Sequence, residues 1–117
     1  MAKPTTLKLP IFILDEGVMP RNGMPAVHPG AFLDEILEDL GLPQAAFARK
    51  IGVSAMRMSH VVGGRRPVTA DLALRFGRAF AQSPEYWLNM QVAYDLKKAA
   101  AGLGKRLDRI GSVTKAA

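Results

Sequence analysis

The chain has 117 residues, 49% of them hydrophobic and 22% charged, a balance that fits one compact unit with short extensions and leaves no room for a second. It has no cysteine, which excludes disulfides and thiolate metal sites, and its two histidines, His28 and His60, stand far apart with no carboxylate pattern beside them. The formal net charge is +6, and its distribution along the chain says more than its size.

Residues 1–27 read as an arm. Pro4, Pro10, Pro20 and Pro25, with Pro29 just beyond, argue against regular helix. Within the arm Leu7, Leu9, Ile11 and Ile13 alternate with Lys8, Pro10 and Phe12, which suits a short strand at 7–14 that Pro10 confines to an edge or an isolated position. The same run is the only candidate for a signal-peptide core, but Pro10 interrupts it, Asp15 and Glu16 follow, and no small-x-small cleavage site appears. No stretch is long enough to span a membrane. The expectation is a soluble, cytoplasmic protein with no membrane partner.

From Pro29 the periodicity becomes helical. Phe32, Leu33, Ile36, Leu37 and Leu40 form one stripe, with Asp34, Glu35, Glu38 and Asp39 opposite, and Gly41 suits a left-handed cap. Pro43 opens a second, short helix to Ile51, stopped by Gly52; Ser54 can cap a third to about Val62, before Gly63-Gly64. Thr69, with Asp71 in the first turn, starts a fourth helix to about Ala81, burying Leu72, Ala73, Phe76, Ala79 and Phe80. Ser83-Pro84-Glu85 supplies cap, proline and first-turn acid for a fifth helix to about Ala101, before Gly102. The expected fold is all-α: a five-helix unit over 28–101, an extended N-terminal arm, and a basic C-terminal tail over 102–117. In that tail Leu103, Leu107 and Ile110 recur at helical spacing, either as an amphipathic turn on a partner or in a frayed segment.

Residues 44–63 have the pattern of a helix-turn-helix. With Gln44 as the first position, Ala48 is fifth and Gly52 ninth, while Phe47, Ile51, Val53, Met58 and Val61 fill the buried positions. A larger side chain than Ala48 would push the two helices apart, and the tight turn at Gly52 favours a residue without Cβ. A plain helical hairpin with a glycine turn does not account for these together with the adjoining basic loop. The charges agree: residues 31–41 hold four acids and no base, whereas residues 44–67 hold Arg49, Lys50, Arg57, Arg65 and Arg66 and no acid. One surface suits a polyanion.

On that reading the third helix enters the major groove of double-stranded DNA with Ser54, Ala55, Met56, Ser59 and His60 at its front. Ala55 and Met56 can meet thymine methyls and His60 a purine edge, while Ser54 is a helix cap or a reader. No Asn or Gln offers bidentate adenine recognition, so specificity leans on DNA shape. Arg57, Arg65 and Arg66 suit phosphates, or one loop arginine a guanine, and Gln44 suits a phosphate at the N-terminus of the second helix. His28, held extended before Pro29, caps or packs at the start of the first helix. On the fifth helix Trp87, Met90, Gln91 and Tyr94 form core or a dimer seam, with Leu88 and Val92 completing the core. A homodimer is expected, because one short reading helix gives too little surface for a specific site.

His28-Pro29-Gly30, the helix-turn-helix, Gly64-Arg65-Arg66-Pro67-Val68-Thr69-Ala70-Asp71 and Ser83-Pro84-Glu85-Tyr86-Trp87-Leu88-Asn89-Met90-Gln91 together resemble the HigA antitoxins, a branch of the phage-repressor-like Xre regulators. The resemblance covers about residues 28–96. It implies the five-helix phage-repressor-like helix-turn-helix fold and a homodimer that represses its own operon. It also implies a HigB-like ribonuclease toxin held inactive in a complex. The chain departs from the family pattern where Pro43-Gln44-Ala45-Ala46 replaces a capping box, a change worth about 1 kcal/mol. It departs again at Gly63, which stands where Asn precedes the loop glycine and which is expected to loosen the exit from the third helix. The arm is longer than the family's, so its role does not transfer. For the toxin the leading contact is the strand carrying Leu7, Leu9, Ile11 and Ile13, added to the edge of a partner sheet or, alternatively, paired with its twin across the homodimer. A stand-alone regulator without a toxin and a module that only sequesters a partner are the competing readings. No nucleophile, acid–base pair or phosphate loop suggests an enzyme, and no cofactor is implied.

Overall fold

The computed structural model describes residues 26–114. Its helices follow in the expected order: α1 (Pro29–Leu40), α2 (Gln44–Ile51), α3 (Ala55–Val62), α4 (Ala70–Phe80) and α5 (Glu85–Leu103), with a 3-10 segment at Gly104–Arg109. No strand occurs among the described residues, and the 7–14 segment lies outside them.

Local chemistry sets the helix ends. The extended residue before α1 is His28, whose Nδ1 accepts from the Gly30 amide at 2.9 Å and so satisfies one of the helix's free donors. Ser54 Oγ accepts from the Arg57 amide at 3.0 Å, and Thr69 Oγ1 from the Leu72 amide at 3.3 Å. Between α2 and α3 the chain reverses at Gly52, φ 76°, a conformation that a Cβ would strain. Val53 then leaves the turn with its amide on the Ala48 carbonyl at 2.9 Å. Ser83 Oγ accepts from the Glu85 amide and bonds the Glu85 carboxylate, closing the start of α5. That helix runs through Gly102 and the chain turns only at Gly104, two residues later than the sequence suggests.

α1 packs on α3 and α5, α2 on α3 and α4, and α4 on α5, around one core. Its centre is aromatic: Phe76 meets Trp87 edge-on at 4.9 Å, and Phe47 stacks on Phe80 at 5.2 Å. Leu33, Ile36, Leu37, Met58, Val61, Leu72 and Ala73 surround it. The backbones of α1 and α3 nearly touch, since a Cβ on Gly30 would lie 2.0 Å from the Val61 carbonyl oxygen.

Three expected core positions fall outside. Leu40, Ala79 and Val92 are exposed, because each lies at the margin of its helix's apolar stripe and no neighbouring helix covers that margin. Conversely Trp87, Met90 and Gln91, for which core and dimer seam were the alternatives, lie inside the protomer with at most 5% exposure. They pack against α1 and α4 and have no surface left for a partner.

Candidate nucleic-acid interface

The buried side of α3, Met58 and Val61, locks the helix to the core and leaves Ala55, Met56 and Ser59 in solvent, with His60 half-buried beside them. Met56 is 69% exposed, far more than a core methionine, so an apolar, adaptable tip stands at the front of the helix. Ser54 serves as the cap, which occupies its hydroxyl as an acceptor.

Beyond α3 the backbone curls tightly. The Gly63 amide bonds the Ser59 carbonyl at 2.9 Å, and the amides of Arg65 and Arg66 share the His60 carbonyl at 2.8 and 3.2 Å. Where a looser exit was expected, Gly63 has an ordinary φ of −78°, and the left-handed residue is Gly64. Both arginine side chains are exposed and form no ion pair among the described residues.

Two supports hold this loop from behind. Gln91 on α5 is buried; its Oε1 accepts from the Val68 amide at 2.8 Å while its Nε2 donates to Asp95 Oδ1 at 2.9 Å. His28 lies against Gly64 on one side and edge-on to Tyr94 at 4.9 Å on the other. Burial pushes its imidazole below the ordinary 6.5, with the Arg66 backbone and the Asp95 carboxylate partly opposing. Neither support was legible as such, since each joins residues remote in sequence.

Arg57, expected to meet a phosphate, has partners on the protein within reach. Its Nη1 lies 3.5 Å from Asp71 Oδ2 and its Nη2 donates to Thr69 Oγ1 at 3.4 Å. Gln44, half-buried, begins α2 after Pro43, which offers the first amides no side-chain acceptor. Tyr94 is half-buried, with Lys98 Nζ 5.6 Å from its ring centre. Leu7, Leu9, Ile11 and Ile13 lie outside the described residues.

The fold that carries this helix and loop has counterparts among solved structures. An addiction-module antidote protein of the HigA family from Coxiella burnetii superimposes with a TM-score of 0.75 at 35% identity, covering 78% of this chain and 100% of that one. The chain belongs to the HigA family. A second HigA, the Pseudomonas aeruginosa antitoxin solved with the higBA promoter, superimposes with a TM-score of 0.72 at 37% identity over 76% of this chain and 99% of its own. In sequence, virulence-associated protein I of Dichelobacter nodosus is 48% identical over 80 residues, 68% of this chain and 74% of that protein. No family model matches the chain. Among the described residues of this HigA-family chain, no helix is long and apolar enough to cross a membrane.

Proposed function

We propose that this chain is the DNA-binding antitoxin of a type II toxin–antitoxin module, a cytoplasmic homodimer that represses its own operon and holds a HigB-like ribonuclease toxin inactive. The observation that carries the reading is the free face of α3 beside an anchored basic loop, on a frame shared with an antitoxin solved on its promoter. Ala55, Met56, Ser59 and His60 face base edges; Arg65 and Arg66 take phosphates; and Gln44, with the first amides of α2, takes another. Ser54 contributes by holding the helix start rather than by reading. The relatives support an antitoxin or regulator rather than an enzyme.

The toxin is met away from the reading face, by the segment carrying Leu7, Leu9, Ile11 and Ile13, so that one dimer represses and neutralises together. Removing residues 1–14 abolishes toxin binding and leaves operator affinity intact; loss of the dimer instead points to pairing of twin arms. The DNA reading is tested by titrating the chain with duplex from upstream of its own gene over a salt series. Tight, salt-dependent binding that exceeds binding to a shuffled duplex is expected. Equal affinity for both duplexes sinks it.

A further inference from the structure

Arg57 is the third residue of α3 and the only Lys or Arg within that helix. Its guanidinium turns back onto the protein, 3.5 Å from Asp71 and 3.4 Å from Thr69. Asp71, in the first turn of α4, also receives Arg75 Nε on both oxygens, at 3.1 and 3.2 Å. Arg75 in turn donates from Nη1 to the Ile51 carbonyl at 2.7 Å, at the last residue of α2. One carboxylate thus ties together α2, α3 and α4, and holds a cation of the reading helix on the protein side. The side chains of Arg57, Asp71 and Arg75 are 36%, 52% and 41% exposed, so solvent screens the pairs and a phosphate can compete for Arg57.

We propose that Asp71 limits the affinity of α3 for DNA phosphates, acting by retaining Arg57. Phosphates are present on every sequence, and each one that is neutralised strengthens binding to operator and to random DNA equally. Binding energy held back from Arg57 is therefore withheld from operator and random DNA alike, which weakens binding to every duplex and leaves the ratio between them to the base-facing residues of α3. Arg75 stays in place without Asp71, because the Ile51 carbonyl holds it independently; Arg57 has only the weaker Thr69 hydrogen bond left.

This inference rests on the DNA-binding reading, and the test separates the two. The full-length chain, Asp71→Asn, Arg57→Ala and the double variant are titrated by fluorescence anisotropy against the upstream duplex and a shuffled duplex of equal length, over a salt series. Asp71→Asn is expected to bind both duplexes about three- to tenfold more tightly, with a salt slope steeper by roughly 0.9 on each, the value of one more phosphate neutralised. The ratio of operator to shuffled affinity stays as in the parent chain. Arg57→Ala alone keeps the wild-type slope, and the double variant returns to it. A tighter binding that persists in the double variant overturns the proposal, because it then reflects only the removed negative charge. A slope flattened by Arg57→Ala alone also overturns it, whether or not Asp71→Asn folds, since Arg57 would already be on a phosphate. A wild-type chain that shows no preference for the upstream duplex overturns the parent reading and this one with it.

Discussion

Gly30 shows how a single missing methyl group sets a helix contact. Its Cα faces the α3 backbone, and a Cβ there would sit 2.0 Å from the Val61 carbonyl oxygen and 3.0 Å from the Val62 Cα, atoms that cannot rotate away. Gly30→Ala must separate α1 from α3, at a cost of about 1–3 kcal/mol as for other overpacked sites, measurable by urea unfolding. A variant as stable as the parent would show that α1 can slide without penalty. Two residues earlier, His28 caps α1 through the unprotonated Nδ1, so the folded state prefers the neutral ring, consistent with a pKa held below 6.5 by burial. Between the folded and unfolded values the unfolded chain binds more protons, so stability falls as pH drops below about 6.5 and levels off beneath the folded value. His28→Asn keeps a capping acceptor but does not titrate, so this part of the pH dependence is expected to vanish. An unchanged acid slope in that variant would assign the effect to another group.

Among the elements, the segment between α3 and α4 makes the clearest demand on partners far away in sequence. Arg65 and Arg66 project from it with no ion pair among the described residues, while Gln91, on α5, fixes its end through the Val68 amide. Arg65→Ala with Arg66→Ala should weaken operator and random DNA alike and flatten the salt slope by roughly 0.9 for each phosphate no longer neutralised, read from the same titrations. Gln91→Leu, similar in size, leaves the buried Val68 donor without its acceptor, which lowers stability by about 1–3 kcal/mol. If Gln91→Leu is as stable as the parent, the bond does not anchor the loop. The helix starts at Ser54, Thr69 and Ser83, and the turn at Gly52, were legible because a cap or a tight turn is fixed within three or four residues. Gln91 and Arg57 were not. Each is polar on an amphipathic helix, and only the approach of a segment remote in sequence decides that one is an internal strut and the other an ion pair.

At the scale of the whole molecule, the protomer completes its own core and still leaves apolar surface. Trp87 and Met90 face inward on α5, while Val92 and Leu96, 50% and 54% exposed, and Leu103, 41% exposed, recur at i, i+4 and i+11 on another side. Leu107 in the 3-10 segment and Ile110 just after it extend that character. Lys97, Lys98, Lys105 and Arg106 interrupt the region, so an apolar seam here would be narrow and rimmed by charge, as interfaces between small protomers are. We expect this stripe, rather than Trp87, to join two copies and to set their reading helices about 34 Å apart, one turn of DNA. Val92→Glu with Leu96→Glu places four carboxylates in a two-fold seam while altering only exposed positions of the protomer. The doubly substituted chain should keep its helical circular dichroism and sediment as a monomer at micromolar concentration. Its operator affinity should fall toward the non-specific level, by roughly 1,000-fold, because one half-site carries too little surface for specific binding. A variant that remains dimeric with full operator affinity would move the seam elsewhere; one that loses its helical signal would show that these residues support the protomer itself.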